Sequence, residues 1–416
     1  MNRIATLFRN NLKQYMILFA LLAIIIAFQV LTKGVLLKPM NVSNLIFQNA
    51  YVVILAVGML LCILTGGNID LSVGSVVALV GACAGTMIIT WGWNPHLSIL
   101  LCLLIGIAIG VWQGFWIAYA RIPAFIVTLS GMLVFRGLTL IVLGGLTLAP
   151  FPKAYLAYST GFLPDLFPNA HLFGVRNTTA LLIGIVTAVI FAILQVTGYM
   201  ARKRKGYSLD PFWTVLVKIG VISPAIIWLF YTLASYRGIP VVLITVGIIL
   251  IAYGFFTSST VMGRHLYAMG GNEKAARLSG VKTNRLLFMA YVNMAFLAAV
   301  AGIVFAARLN SASPQAGQSF ELDAIGACFI GGASAYGGVG TVGGTLIGAM
   351  IMGVLNNGMS IMGISSNVQQ VVKGLVLLGA VAFDVLSKRE ISFDLFGRFR
   401  RRSTKVEETE KLGHGV

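Results

Sequence analysis

The chain has 416 residues, of which 58% are hydrophobic and only 10% charged, and its mean hydropathy is +0.91. A soluble domain carries about 25% charged residues because water must wet its surface, so this composition excludes an ordinary soluble domain. The net charge of +18 would suggest nucleic acid in a soluble protein, but here the basic residues sort by segment, as in a membrane protein, and no nucleic-acid partner is expected.

A bilayer core of roughly 30 Å needs about 20 apolar residues per helix. Uncharged runs of that order predict spans at 15–31, 45–64, 73–90, 97–119, 124–144, 179–197, 212–232, 240–257, 286–307, 323–334, 341–358 and 367–386. The runs show no sustained alternation of period two, which favours helices over a barrel. The first run follows Arg3, Arg9 and Lys13 as a signal sequence would, yet no small-residue cleavage site comes before Lys33, so it reads as a retained span. The expectation is an all-α, polytopic transmembrane bundle of about 10–12 spans within residues 1–386, some broken at Gly-rich segments.

Charge orients the bundle. With the N-terminus cytoplasmic, that side collects Arg121, the run Arg202-Lys203-Arg204-Lys205, then Arg264, Lys274, Arg277, Lys282 and Arg285, and a charged tail at 387–416. The other side holds only Lys33, Lys38, Lys153, Arg176, Arg237 and Arg308. An even number of spans then places both termini in the cytoplasm by the positive-inside rule. Outside lies the segment 145–178, whose Pro150, Pro152, Pro164 and Pro168 favour irregular or extended backbone. It reads either as a docking surface or as a passive connector. The basic run in 198–211 reads as an anchor to anionic membrane lipid. Cys62, Cys83, Cys102 and Cys328 lie in apolar runs without a Cys-x-x-Cys pair and read as small core residues.

Clustered glycines break two apolar stretches: Thr65-Gly66-Gly67-Asn68-Ile69-Asp70-Leu71-Ser72 through Ser75, and Gly331-Gly332 through Gly337-Gly338 to Gly343-Gly344. In transporters, paired Gly-interrupted segments point to the solute path, because unwound backbone at membrane depth must face protein or water. The two breaks form an internal-repeat signal whose sense stays open.

No Gly-Lys dipeptide occurs, so the chain has no Walker A loop and binds no nucleotide cofactor of its own. His96, His171, His265 and His414 are scattered, with no catalytic or metal-ligating spacing. The cytoplasmic segment 258–285 is more informative. Asn272 can cap a helix whose first turn carries Glu273, and Gly280 can end it. Such a helix of about two turns is too short to stand alone and must be held by packing. Ala275 and Ala276 allow close approach, with Lys274, Arg277 and Lys282 at the rim.

The chain resembles the permeases of bacterial ATP-binding-cassette importers of the ribose/xylose/galactose class, nearest the xylose and multiple-monosaccharide permeases. The resemblance rests on Asn41-Val42-Ser43-Asn44, Leu55-Ala56-Val57-Gly58-Met59 and Ile69-Asp70-Leu71-Ser72-Val73-Gly74-Ser75. Further matches are Pro123 to Leu129 with Phe135-Arg136-Gly137, the Gly270 to Val281 segment, and Gly331-Gly332 through Gly338-Val339-Gly340. It implies a multi-pass protein of the inner membrane that carries monosaccharides and is not itself an enzyme. It also implies that Gly271, Asn272, Glu273, Lys274, Ala275, Ala276, Arg277, Ser279 and Gly280 form a coupling helix. That helix would dock on a cytoplasmic ABC ATPase, which would hold the ATP and Mg. Two permease copies and a periplasmic sugar-binding protein would complete the assembly. The longer segments 145–178 and 198–211 are similar to the xylose-like branch.

Within the spans, Asn68, Asp70, Ser72, Asn356, Asn357, Trp112 and Trp116 are candidates for the translocation path. Each has a second reading. Asp70 beside Ser72 suits a helix cap, Trp112 and Trp116 suit an interfacial anchor, and Asn356 and Asn357 suit helix–helix bonding. Arg136 and Lys373 are expected to pair with Asp70, Asp323, Asp384 or backbone carbonyls, and Lys218 to snorkel from its helix end. The competing function is a stand-alone ion-coupled sugar carrier, disfavoured because the spans show few acids for a relay.

Overall fold

The computed structural model describes residues 2–168, 172–207 and 211–388; the charged tail expected at 387–416 lies almost wholly outside them. Fifteen α-helices follow one another: α1 Asn2–Leu31, α2 Pro39–Leu64, α3 Val73–Gly85, α4 Pro95–Ala118, α5 Ala124–Leu143, α6 Lys153–Thr160, α7 Thr178–Arg204 and α8 Trp213–Tyr236, then α9 Val241–Ser259, α10 Val261–Gly271, α11 Glu273–Leu278, α12 Thr283–Leu309, α13 Phe320–Ile330, α14 Val342–Ile361 and α15 Ser366–Lys388. A π-helical turn, Thr86–Thr90, prolongs α3. Among the described residues ten helices are long and apolar enough to cross a membrane, and no strand forms. The chain is an all-α polytopic bundle.

Two expectations shift. The span anticipated at 323–334 is the short α13, which covers about half a bilayer. The 145–178 segment holds α6 and is less irregular than its prolines suggested. Pro152 stands just before the first residue of α6, where a missing N–H costs nothing, so this proline starts a helix rather than preventing one.

In lipid the apolar effect gives helices little reason to associate, so close packing of small residues must hold the bundle. α4 supplies Gly106, Gly110 and Gly114, one per turn. A Cβ at these positions would lie 2.5 Å from the Ala299 Cβ, 2.6 Å from the Val292 Cα and 3.0 Å from Phe288, all on antiparallel α12. α12 also runs antiparallel along α2, where Gly58 seats Met294 and Cys62 Sγ lies 3.8 Å from the Ala290 carbonyl. α14 in turn runs antiparallel to α2, with Gly353 against Asn49.

These pairings reveal the sense of the repeat. α3 packs on α12 as α13 packs on α2, α4 lies on α12 as α14 lies on α2, and α5 covers α3 as α15 covers α13. Because α2 and α12 are antiparallel, α2–α5 and α12–α15 form inverted halves. The counterpart of the break 65–72 is therefore the turn 310–319, and not the Gly-rich 331–341.

Each half contains a helix that begins inside the bundle. Residues 65–72 rise from the end of α2 until α3 starts. Residues 313–319 dip inward from the opposite face until α13 starts. The two meet at a reciprocal glycine crossing: a Cβ on Gly74 would sit 2.1 Å from the Gly317 carbonyl oxygen, and one on Gly317 would sit 2.0 Å from the Gly74 oxygen. Gly317 also has φ +71°, which penalises any L side chain. Gly317→Ala is expected to lower stability by about 2 kcal/mol or more through overpacking and strain. Gly220→Ala, in an open stretch of α8, should be neutral or mildly stabilising. Thermal melts of the purified proteins in detergent compare the two, and equal melting would mean that the crossing tolerates a side chain.

Candidate functional site

The inner end of α3 is built around Asp70. Its Oδ1 accepts from the Ser72 amide at 2.8 Å and the Ser72 hydroxyl at 2.6 Å. The Ser72 hydroxyl oxygen in turn accepts from Gln113 Nε2 at 2.7 Å. A carboxylate here takes up the Ser72 amide just ahead of the first turn of α3 and matches the positive end of the helix dipole. Asp70, Ser72 and Gln113 are all buried. Asn68 turns back to the end of α2, donating to Thr65 Oγ1 at 3.1 Å.

The inner end of α13 is built in the same manner from other residues. Glu321 and Asp323 occupy its first turn. Asp323 Oδ1 lies 2.9 Å from Lys373 Nζ on α15, and Tyr51 donates to Oδ2 at 3.2 Å. Phe320 stacks on Tyr51 with centroids 4.0 Å apart, and Phe305 closes the aromatic cluster. Arg136, midway along α5, donates to the carbonyls of Pro314 at 3.0 Å and Ala316 at 2.7 Å, serving the irregular backbone that leads into α13. The structure thus assigns the two expected basic residues different work: Lys373 pairs with a carboxylate, and Arg136 with carbonyls.

The other candidates are dispersed. Asn357 is buried in the α2–α14 seam, donating to Gln48 at 3.0 Å and accepting from Asn41 at 2.8 Å. The Asn356 side-chain oxygen is buried with no hydrogen-bond partner. Trp112 and Trp116 are exposed on the outer surface of α4 with Phe115 and Tyr119, whereas Gln113 between them points inward to Ser72. Tyr51 and Glu321 carried no signal beyond being polar residues in or beside apolar runs, and Gln113, which reads beside the two tryptophans as a sugar-binding amide, instead bonds Ser72.

The segment 258–285 forms two helices outside the bundle. Thr260 caps α10 by accepting from the Gly263 amide at 3.0 Å, and Asn272 caps α11 by accepting from the Ala275 amide at 3.0 Å. Gly280, at φ +84°, follows its end. Ala276 packs inward, while Lys274, Ala275 and Arg277 are exposed and Leu278 is 90% exposed. Gly270 lies where a Cβ would be 2.0 Å from the Leu64 carbonyl oxygen and 2.3 Å from the Gly338 nitrogen. Gly67 meets Ala335 nearby, and Tyr267 donates to the Gly340 carbonyl at 2.8 Å. The two Gly-rich breaks therefore touch each other, and α10 rests on their junction. Arg121, in the turn between α4 and α5 at φ +58°, pairs with Glu273 at 3.0 Å and bonds Asn284.

On the opposite face, Asp165 accepts from the Thr179 hydroxyl at 2.6 Å and from the Thr178 and Thr179 amides at the start of α7. These bonds, the hydroxyl's above all, hold its carboxyl below the usual range.

Inverted halves, each with a helix that starts at mid-depth, and an external helix pair seated on the breaks define a membrane permease. The chain belongs to the family described as the permease component of branched-chain amino acid transport systems, whose model matches residues 41–381. It is 38% identical over 379 residues to the xylose transport system permease protein XylH of Escherichia coli K12, covering 91% of this chain and 93% of that one. The XylH protein of Haemophilus influenzae is 36% identical over 383 residues, covering 92% and 98%. The ribose import permease protein RbsC of E. coli K12 is 37% identical over 344 residues, covering 83% and 85%. No solved structure matches.

The Asp323–Lys373 pair has exposures of 1% and 15%, so removal of one partner should leave an uncompensated buried charge. Lys373→Met alone is expected to cost about 3–5 kcal/mol, and Asp323→Leu with Lys373→Met to regain most of it. Unfolding in detergent measures both; a single variant as stable as wild type would deny the pair any holding role.

Proposed function

We propose that this chain is the translocating subunit of an ATP-binding-cassette importer for monosaccharides, with xylose as the first substrate to test. The relatives named for xylose align over more of the chain than the ribose permease does, which supports that order. The observation that carries the mechanism is the α10–α11 segment. It offers an exposed apolar knob, Leu278, rimmed by Lys274 and Arg277, and it leans on both Gly-rich breaks through Gly270. A partner ATPase that moves α11 would therefore move the break that leads into α3 and the Gly-rich turn between α13 and α14 together. Through Arg121 it would also move the head of α5, whose Arg136 holds the turn 313–319. The face bearing Arg121, Arg264 and Arg277 is the cytoplasmic one on the positive-inside rule.

The solute path follows from backbone chemistry. Residues 313–319 are non-helical, lie at the depth of Arg136 and expose Gln315 and Gln318. Hydrocarbon cannot satisfy these groups, so they face a water-filled path or a second copy of the chain. We place the path there, between two copies, with a periplasmic sugar-binding protein delivering solute at the face that carries α6. The ion-coupled alternative loses support from two of the observed acids: Asp70 is bonded to Ser72 at the start of α3 and Asp323 is paired with Lys373, so neither is a free proton relay.

Two experiments test this reading. In proteoliposomes with the cognate ATPase and binding protein, Ala275→Arg or Leu278→Asp should reduce ATP-dependent xylose uptake about tenfold or more. Membrane insertion should be unchanged. Arg121→Glu should also impair uptake, with recovery in Arg121→Glu/Glu273→Arg, although so exposed a pair contributes about 1 kcal/mol or less to stability. Normal uptake by the α11 variants, or gradient-driven uptake without any ATPase, would overturn the assignment. In the second experiment, Gln318→Cys should react with a hydrophilic maleimide from the aqueous phase, and xylose with its binding protein should slow the reaction. A cysteine inert to the reagent in every state would remove the path from this loop.

A further inference from the structure

α7 and α8 form an antiparallel hairpin on the outside of the bundle, locked where Gly184 receives Phe230, since a Cβ there would lie 2.3 Å from the Phe230 Cβ. Most of the hairpin surface is apolar and exposed, as at Val189, Ile193, Leu216 and Val221, which is the signature of a lipid-facing element. Its end on the basic face differs. α7 finishes in Arg202-Lys203-Arg204, and α8 opens with Trp213, which is exposed, as is Tyr207 in the connection. Tyr199 and Phe212 hold the two helices together with ring centroids 5.2 Å apart. Aromatic rings of this kind collect at the headgroup level of a bilayer.

At that level a cavity of about 270 Å³ opens between the two helices, with Gln195, Tyr199, Arg202, Thr214 and Lys218 among its walls. Lys218 lies more than one turn inside α8, within an apolar run, and lines the same cavity as Arg202 of the neighbouring helix, both side chains being exposed. Neither cation makes an ion pair with an acid among the described residues, and Gln195, half-buried two turns inside α7, makes no hydrogen bond to a described residue. A cation and an amide at the edge of hydrocarbon are costly without a partner, and two cations converging on one cavity call for an anion. Leu194 lines the same cavity and is exposed, giving an apolar platform continuous with the lipid-facing surface.

We propose that this pocket binds the phosphate of an anionic phospholipid headgroup, with Arg202 and Lys218 as its cationic arms and Gln195 as a further donor, while the acyl chains lie along α7 and α8. It stands on the hairpin alone, whatever solute the bundle carries. The bulk charge of the basic run would attract any anionic membrane without selecting a site. The pocket adds a fixed geometry, and that difference can be measured.

The test uses the purified full chain offered phosphatidylglycerol or phosphatidylcholine, read by native mass spectrometry of retained lipid and by the Tm in nanodiscs. Wild type should retain phosphatidylglycerol and melt higher in its presence. Arg202→Gln/Lys218→Gln should bind it about tenfold or more weakly and lose the Tm rise, while melting like wild type in phosphatidylcholine. Lys203→Gln/Lys205→Gln removes the same charge from the run but leaves the pocket walls intact, and should keep both signals. Equal loss in the two double variants would reduce the effect to diffuse charge and overturn the site. Inorganic phosphate that raises the Tm of wild type as much as the lipid does would overturn the headgroup assignment, since the pocket would then take any small anion.

Discussion

Backbone that leaves a helix inside an apolar slab has no water to bond with, and the centre of this protein is organised by that constraint. Two segments, 65–72 and 313–319, are unwound within the bundle, and each has its polar groups collected by side chains placed for the purpose. Asp70 and Gln113 serve the first through Ser72, and Arg136 serves the second at two successive turns of the loop. The segments can approach each other because Gly74 and Gly317 bring nothing but backbone to the crossing. Side chains there would separate the halves and expose the very groups that now find partners.

From this crossing the remaining packing follows. The seams between α2, α4, α12 and α14 use small residues because lipid offers no apolar drive toward association, so the energy must come from contact at short range. Two helix starts inside the bundle carry charged groups. The acids at the inner ends of α3 and α13 lie at positive dipole ends, and the α13 pair is completed by Lys373. The break that leads into α3 surfaces beneath α10, together with the Gly-rich turn that follows α13. A helix pair outside the bundle is thereby connected to its centre without any long lever.

Much of this was legible in the sequence. Apolar runs marked the spans, charge marked the two faces, and the Asn272-Glu273 cap with Gly280 marked α11, because these signals are local: each depends on residues within a turn or two of one another. The Gly-rich breaks were also legible as breaks. Their relationship was not. The similarity of glycine content paired 65–75 with 331–344, whereas packing pairs 65–72 with 310–319, a polar stretch that reads as an ordinary loop between two spans. Tyr51 and Glu321 were invisible for the same reason, since a polar residue in an apolar run looks identical whether it faces a partner or a neighbouring helix.

The sequence by itself determined that this is a polytopic α-helical membrane protein with a short external helix on its basic side, because hydropathy and capping act along the chain. Only the tertiary structure decided that the halves are inverted, that two helices begin at mid-depth against one another, and that α10 sits on the junction of both breaks. Those facts depend on contacts between residues more than two hundred positions apart, such as Gly74 with Gly317 and Leu64 with Gly270. No local rule of propensity or charge can specify which distant backbone will fill the space a glycine leaves.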